Sequence, residues 1–378
     1  MSIQYLYAYP DHDVVNSLLP DARHRYITPE KAIDYIRQIP GLVPIAIDPE
    51  GAGKIYWADF GERPFREWQF MYSIKQLAEE HRQVDAFVTD MTVLETEEVL
   101  GTSLPPRGFI FHISRCGSTL LAKALAREPS HLVINQGGPL QRGFWAQRTA
   151  NWQRPLTATD ENLAMFRRLV LGMTRRRRRQ EKTAFVKFIS WNVLYVDFIR
   201  QAFPDVPCLF MYRDPIEVIA SIRKETTAPI ISKKTAQAEF LSGLPEKDIE
   251  SLDDTTYLAH CFARYFESAR DAERSLPMID YRSLNSASFA GVLEHAFDYV
   301  PSARSHSLMC QQFAFHAKDD NDRQTFKGDS ALKQSAVSEA DRQVIDGITR
   351  MLYLHLGECA GDMAARLEKT QVLVPAAS

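Results

Sequence analysis

The chain lacks both a long uncharged apolar run and a strong excess of charge of one sign. Its 378 residues include 45 Lys and Arg and 48 Asp and Glu, which give a formal net charge of -3 at pH 7. A domain that binds duplex nucleic acid is usually basic overall, so this balance argues against that function. A membrane-spanning helix needs about 20 consecutive apolar residues, so we expect no membrane anchoring.

Cysteine is also scarce, and the five cysteines are scattered through the chain. They show no C-x-x-C spacing, which argues against a zinc site, and their odd number argues against a disulfide framework. The first residues, MSIQYLYAYPDHDVV, contain no basic segment followed by an apolar core, as a secretory signal would. We therefore expect a cytoplasmic protein without a bound metal.

The length of the chain is enough for two unequal domains. Residues 1–104 mix helical and strand-like patterns, for example HRYITPEKAIDYIRQI followed by LVPIAID, and predict a small α+β lead-in domain. The paired prolines in SLPPR indicate a boundary, because proline ends regular structure. We therefore predict a second domain over residues 105–378.

Short apolar runs alternate with longer helical patterns in the second domain. The strand-like runs are FIFHI (109–113), HLVIN (131–135), AFVKFI (184–189) and CLFMY (208–212). Continuous apolar strands between helices are typical of a parallel sheet covered on both faces. The predicted fold class is α/β, a doubly wound parallel sheet with helices on both faces, preceded by the small α+β domain.

The loop SRCGST (114–119) joins the first of these strands to a helix that begins near Ser118. Ligands bind at such loops in parallel sheets, and the free N–H groups of a helix start favour phosphate. Gly117 permits close approach of the backbone, and Arg115 adds a fixed positive charge. The loop predicts a phosphate site, and a polar turn with a serine cap is the alternative.

The usual loop of nucleotide triphosphatases, G-x-x-x-x-G-K-[ST], is absent from the chain. EGAGK (50–54) lacks the hydroxyl residue of that motif and precedes a strand-like pattern, so we interpret it as a turn. The sequence therefore argues against a P-loop kinase that uses ATP, which remains an alternative.

A second apolar strand ends abruptly in YRDP before a helix that begins at Pro215. Arg213 at the strand end and Ser221 two turns along the helix supply a guanidinium fork and a hydroxyl. This pair suits a second phosphate group. An ion pair between Arg213 and Asp214 is the structural alternative.

Together, SRCGSTLL and YRDPIEVIAS resemble motifs of the P-loop-like sulfotransferase superfamily, bacterial type, whose members use 3′-phosphoadenosine 5′-phosphosulfate (PAPS). The resemblance covers about residues 107 to 350. It implies a 5′-phosphosulfate loop made of Arg115, Cys116, Gly117, Ser118, Thr119 and Leu120. It also implies Arg213 and Ser221 as ligands of the 3′ phosphate, and a shorter match, TFKGD, implies that Lys327 and Gly328 close over it.

The same resemblance implies a reaction. PAPS would donate its sulfuryl group to a hydroxyl or amine of a small-molecule acceptor, leaving adenosine 3′,5′-bisphosphate (PAP). Arg115 would stabilise the leaving phosphate oxygen, and Lys187 matches a lysine found near the sulfuryl group in the family. A lysine with a buried stem and a structural role is the alternative for Lys187. The acceptor, the choice between O- and N-sulfation, and the oligomeric state stay open.

The acceptor must also lose a proton, which requires a general base. The resemblance implies a His or a Glu at two places, and this chain has Ile189 and Gln136 there. The remaining candidates are His112, His260, Asp197 and Glu217. An acceptor that needs little help is a second explanation, and a protein that binds the nucleotide without transferring anything is a third.

Two further segments are distinctive. MTRRRRRQEK (173–182) is interpreted as a solvated helix end, because five consecutive arginines cover all sides of a helix turn, and a surface for an acidic partner or substrate is the alternative. QGGPLQRGFWAQRTANWQR (136–154) predicts a mobile loop beside the active site, with a packed surface loop as the alternative.

Overall fold

The computed structural model describes residues 15, 19–47, 53–81, 84–224, 228–272, 276–319, 321–325 and 328–372. In this part of the chain no helix combines the length and the apolar character needed to cross a membrane. The chain forms two compact units. One comprises Met1–Arg107, Leu125–Phe188 and Phe198–Val206, and the other comprises Gly108–Ala124, Ile189–Asp197 and Pro207–Ser378. The predicted boundary between residues 104 and 105 stays a prediction.

The first unit contains a small antiparallel sheet. Its strands are β1 (Leu42–Ile47), β2 (Lys54–Asp59) and β3 (Ala86–Asp90), in the order β1-β2-β3. Both interior-facing and outward-facing residues of β1 are buried, as expected of a strand that is covered on both sides. The pattern LVPIAID and the strand-like pattern that follows EGAGK are confirmed as strands β1 and β2, and β3 was not predicted.

A second sheet has five strands. They are β4 (Pro106–His112), β5 (His131–Asn135), β6 (Thr183–Lys187), β7 (Cys208–Tyr212) and β8 (Met278–Asp280), in the order β5-β6-β4-β7-β8. The pairs β4 with β7, β5 with β6, and β7 with β8 are parallel. Because the strand order runs in opposite directions from β4, right-handed connections place helices on both faces. The α/β class is confirmed.

The helices occupy most of the remaining described residues. They are α1 (Pro29–Gln38), α2 (Phe70–Glu80), α3 (Glu97–Leu100), α4 (Ser118–Ala126), α5 (Phe144–Arg148), α6 (Asp160–Met173), α7 (Val196–Ala202), α8 (Pro215–Lys224), α9 (Ala228–Ser232), α10 (Gln237–Ser242), α11 (Glu246–Ile249), α12 (Asp254–Asp271), α13 (Phe289–Phe297), α14 (Ala303–Cys310), α15 (Ser330–Ser335) and α16 (Glu339–Val372). The predicted starts of α4 at Ser118 and of α8 at Pro215 are confirmed.

The interpretation of the arginine run as a solvated helix end was wrong. Helix α6 ends at Met173, before the run begins, and Arg175, Arg177 and Arg178 are buried while Arg176 and Arg179 are exposed. Helix periodicity therefore does not apply to the arginines, which lie in an irregular segment after the helix.

Each buried arginine of the run has backbone or acidic partners within the first unit. Arg175 donates to the carbonyl oxygens of Leu42 at 2.7 Å and Ile36 at 3.0 Å. Arg178 donates to the fully buried Glu181 at 2.8 Å. Burial lowers the pKa of Arg175 to about 10, which leaves it charged at neutral pH. The buried arginines of the run thus stabilise the fold of the first unit.

The segment 136–154 is packed, as its alternative interpretation states. It contains a π-helical turn, Pro139–Gly143, followed by α5. Phe144 and Trp145 are fully buried, and the two rings contact each other and Phe166 at centroid distances between 5.1 and 5.3 Å. These aromatic side chains therefore belong to the core of the first unit.

Candidate functional site

The loop between β4 and α4 has an unusual backbone. Ser114, Arg115 and Gly117 have positive φ values of 76°, 53° and 80°. Residues other than glycine are strained in this region, and such residues concentrate at functional sites. Successive N–H groups in such a turn form a concave surface that binds anions. The Ser114 N–H donates to Nδ1 of the buried His112 at 2.9 Å, so His112 holds the loop in place.

Gly117 is required at its position for two reasons. Its φ of 80° favours glycine, and a Cβ there would lie 2.6 Å from Cδ2 of Tyr281. The next residue, Ser118, begins α4 and is buried, whereas Thr119 is half-buried. Cys116 is also buried, and its thiol donates to the Met211 carbonyl oxygen at 3.2 Å. The buried side chains of Cys116 and Ser118 therefore hold the loop in place, and the loop ends at the N-terminus of α4.

Arg213 leaves the end of β7 and is 4% exposed. Its Nε donates to Oε2 of Glu217 at 2.6 Å, and its Nη2 donates to Oγ of Ser330 at 3.0 Å and to Oδ1 of Asp329 at 3.2 Å. Its guanidinium lies 4.3 Å from the ring centroid of Tyr281. Burial lowers the pKa of Arg213, but the Glu217 carboxylate outweighs this and raises it overall. Arg213 is therefore a permanent, rigidly held positive charge.

The two predicted phosphate motifs lie next to each other. Arg115 Nε donates to Oγ of Ser221 on α8 at 2.6 Å, and Arg213 Nη1 donates to the Arg115 carbonyl oxygen at 3.3 Å. The loop after β4 and the helix after β7 therefore converge on one site, as parallel strands with a common edge allow.

The third predicted element is described only in part. Lys327 lies outside the described residues, and Gly328 is exposed with open space around it. Asp329, which follows them, accepts hydrogen bonds from Arg213 and from Lys333 of α15, the latter in an ion pair of 2.8 Å. Burial raises the pKa of Asp329, but Lys333 and Arg213 outweigh this and lower it overall.

Four residues of the site were not predicted from the sequence: Tyr281, Asp329, Ser330 and Lys333. Asp329 is the last residue of TFKGD, and Ser330 and Lys333 follow it within four positions, so that weak motif was the available signal. Tyr281 follows β8, a strand of three residues, which is too short for a periodic pattern to reveal.

The solved structures that are similar to this chain include a sulfotransferase and a retinol dehydratase. A sulfotransferase from Mycobacterium avium, STF9, is 11% identical with a TM-score of 0.40, and the match covers 85% of this chain and 95% of that chain. Retinol dehydratase in complex with androsterone and the inactive cofactor PAP is 12% identical with a TM-score of 0.31, and the match covers 67% of this chain and 82% of that chain. No protein-family model and no curated protein matches the chain.

Lys187 and Gln136 lie in the first unit. Lys187 ends β6 and is fully buried, and its carbonyl oxygen accepts a hydrogen bond from the Gln136 N–H at 2.8 Å. Gln136 has a positive φ of 56°, and its Oε1 accepts a hydrogen bond from Nε2 of Gln69 at 2.7 Å. The amide of Gln136 is thus held in a fixed orientation. The catalytic role of Lys187 stays a prediction.

The four candidate bases have different environments. His112 and Glu217 hold other groups of the site, the first a backbone N–H and the second Arg213. Asp197 is exposed in the first turn of α7. His260 is half-buried on α12, where burial lowers its pKa, so that it is neutral and able to accept a proton at pH 7. None of these is assigned as the base.

Proposed function

We propose that this protein is a sulfotransferase that moves a sulfuryl group from PAPS to a hydroxyl or amine of a small-molecule acceptor. The hydrogen bond between Arg115 and Ser221 carries the proposal, because it joins a loop suited to a 5′ phosphate with residues suited to a 3′ phosphate. A nucleotide with both phosphates is the ligand that would use both motifs at once.

The residues present fit such a nucleotide. The left-handed backbone at Ser114, Arg115 and Gly117 leaves N–H groups directed into one concave turn, with the start of α4 behind it. These groups and the Thr119 hydroxyl would hold the 5′ phosphate. The Arg213 fork and the Ser221 hydroxyl would hold the 3′ phosphate, and Glu217 keeps the fork oriented.

When bound, PAPS would supply the sulfuryl group, and PAP would be its leaving group. The protein's part in such a displacement is positioning and electrostatic stabilisation of the charge that develops. Arg115 is held between its bond to Ser221 and the contact of its carbonyl with Arg213, so its charge is fixed beside the loop. Arg115 would therefore stabilise the leaving oxygen without reorganisation.

A protein that binds PAP or PAPS without transferring the sulfuryl group is the second candidate. The Gln136 amide, bonded to Gln69, favours it, because a neutral amide does not take a proton at pH 7. Ile189, at the other position where a general base is expected, also favours this candidate, because its side chain is apolar.

A thermal-shift comparison tests the ligand class. PAP at 100 times its Kd stabilises the protein by about 2.7 kcal/mol, whereas ADP and ATP, which lack a 3′ phosphate, have smaller effects. In Arg213→Lys the PAP shift is expected to be lost, because a lysine cannot form the fork. Arg223→Lys is the control, since Arg223 lies at the end of α8 in a half-exposed pair with Asp341. Equal shifts with ATP and PAP would refute the proposal.

Transfer itself is measured with PAPS labelled at sulfur and a panel of phenols, alcohols and amines. Label on an acceptor separates the enzyme from the binding protein. A PAP-specific thermal shift without any labelled product would favour the second candidate.

A further inference from the structure

Two primary amides are buried without partners in the second unit. Asn192 is fully buried and Gln237 is 1% exposed. Within the described residues, neither the oxygen nor the nitrogen of either amide group has a hydrogen-bond partner. Nearly all buried polar groups in folded proteins are paired, and leaving one unpaired is costly. Two such amides in one compact unit therefore indicate a place where a ligand completes the hydrogen bonds.

The two amides belong to segments that contact each other through aromatic rings. Asn192 lies in the 3₁₀ segment Ser190–Tyr195, and Gln237 begins α10. Phe240 of α10 stacks on Tyr195 at a centroid distance of 4.9 Å and meets Trp191 edge-on at 6.4 Å. Gln237 is three residues before Phe240 and so lies on the same side of α10. The amides thus flank an aromatic cluster.

Helix α12 holds both segments side by side. Arg264 Nε donates to the Phe240 carbonyl oxygen at 3.0 Å, and Ser268 Oγ donates to the Val193 carbonyl oxygen at 2.8 Å. Arg264 and Ser268 are four residues apart, so their side chains lie on one face of α12, one turn from each other. The carbonyl groups that they bind are therefore neighbours, and the segments that carry Asn192 and Gln237 are adjacent.

The 3₁₀ segment begins three positions after β6 ends, beyond the carboxyl end of a parallel strand. Ligands of such sheets bind at the carboxyl ends of the strands. The segment also belongs to the same compact unit as Arg115, Arg213 and Ser221.

We propose that Asn192 and Gln237, with the rings of Trp191, Tyr195 and Phe240, form the acceptor subsite. This inference rests on the proposed function and adds the class of acceptor. Each amide offers two N–H donors and an oxygen acceptor, which match a hydroxyl or amide group of a ligand. The rings supply an apolar wall for a flat hydrocarbon body. None of these five side chains is charged, so the acceptor is a neutral, planar small molecule with a hydrogen-bonding group.

The first test measures the Tm of the protein in the absence of any ligand. Asn192→Leu and Gln237→Met replace each amide by an apolar group of similar shape. If the amides are unpaired, each change removes a desolvation cost, and the Tm rises by about 1–3 °C. Ser232→Ala is the control, because Ser232 is fully buried near α12 but is paired with the Pro229 carbonyl and the Tyr257 hydroxyl. A fall in Tm for the two amide variants, as for Ser232→Ala, would overturn the subsite.

The second test reads binding to the full chain with PAP present. The probe is 2-naphthol, and naphthalene is the matched probe without the hydroxyl. We expect 2-naphthol to raise the Tm of the parent protein further, naphthalene to raise it less, and both amide variants to lose the difference while they keep the PAP shift. Equal responses to the two probes, or no response of the parent to 2-naphthol, would refute the inference. If PAP did not raise the Tm of the parent protein, the proposed function would be refuted instead. The ligand-free Tm test would still show whether the two amides are unpaired.

Discussion

Arg115 donates from Nε to Oγ of Ser221 at 2.6 Å, across 106 positions of sequence. One residue comes from the loop after β4 and the other from the second turn of α8. Ser221 is buried, and its hydroxyl sets the direction of the Arg115 side chain. The pair therefore makes one site of two motifs that are far apart in the chain.

Ser221→Ala tests the importance of this pair. Removing one hydrogen bond to a charged group weakens PAP binding by about 1.5–3 kcal/mol, or roughly tenfold or more in Kd. Titration calorimetry with PAP measures the change. Ser242→Ala is the control, because Ser242 is also a buried helical serine. Its hydroxyl donates to the Ala238 carbonyl oxygen at 2.8 Å and accepts from the Leu244 N–H at 3.2 Å. An unchanged Kd in Ser221→Ala would show that Ser221 is not a ligand or an anchor.

Asp329→Asn is expected to tighten PAP binding. Its carboxylate accepts from Arg213 at 3.2 Å and so competes for the donors that a 3′ phosphate would use. Removal of this negative charge is worth about 1 kcal/mol at a partly exposed site, which is roughly a fivefold lower Kd.

The control for Asp329→Asn is Asp254→Asn, which breaks an ion pair with Lys233 at the start of α12. Weaker PAP binding in Asp329→Asn would mean that Asp329 is needed to orient Arg213. In that case the carboxylate supports the site instead of competing with the ligand.

Gly117→Ala is expected to destabilise the protein and to abolish PAP binding. The new Cβ would lie 2.6 Å from Tyr281 in a backbone with φ of 80°, which costs about 1–3 kcal/mol. Gly347→Ala on α16 is the contrast, since nothing lies within 4 Å of its added Cβ. That change is expected to stabilise the helix by about 0.5–1 kcal/mol. Urea denaturation compares the two, and a stable Gly117→Ala protein would contradict the description of the loop.

Arg175→Met is expected to cost about 3–5 kcal/mol, because it leaves the buried Leu42 and Ile36 carbonyl groups without their donor. Arg176→Met changes the neighbouring, exposed arginine and is expected to be within about 0.5 kcal/mol of the parent. Denaturant unfolding compares the free energies of unfolding of the two variants, and a large loss only in Arg175→Met shows that the arginine run has a structural role. Equal, small effects would restore the interpretation as a surface feature.

Because His131 is buried, we expect the free energy of unfolding to decrease as the pH falls. Nδ1 of His131 lies 2.9 Å from the Leu125 carbonyl oxygen, and burial lowers the pKa of this residue. The unfolded chain therefore binds the proton more readily. The stabilisation is complete above about pH 6.5 and is lost as pH falls through the lower, folded-state pKa.

The measurement is the free energy of unfolding at intervals from pH 7.5 to 5. His131→Phe is expected to reduce the pH slope without removing it, because burial also lowers the pKa of His260. His81→Gln is the control, since it replaces an exposed histidine instead of a buried one. A parent protein whose stability does not change over this range would contradict the prediction.

Several elements of the fold were predictable because their signals are local. The strands HLVIN and CLFMY coincide with β5 and β7, since uninterrupted apolar runs between polar exits have few other conformations available. The starts of α4 and α8 follow from a hydroxyl residue and a proline at positions that helices favour. Gly117 was identifiable for the same reason, as the small residue of a strand-to-helix turn.

The sequence by itself determined the α/β class of the second sheet and predicted the two phosphate motifs, because apolar periodicity and turn residues act over a few neighbouring positions. Only the tertiary structure decided that Arg115 donates a hydrogen bond to Ser221 and that Arg175 is buried. It also decided that Arg213 donates hydrogen bonds to both Glu217 and Asp329. A charged side chain is buried only where distant residues supply its partners. Such partners cannot be recognised from the local sequence pattern. Asp329, for example, is 116 positions away from Arg213 in the chain.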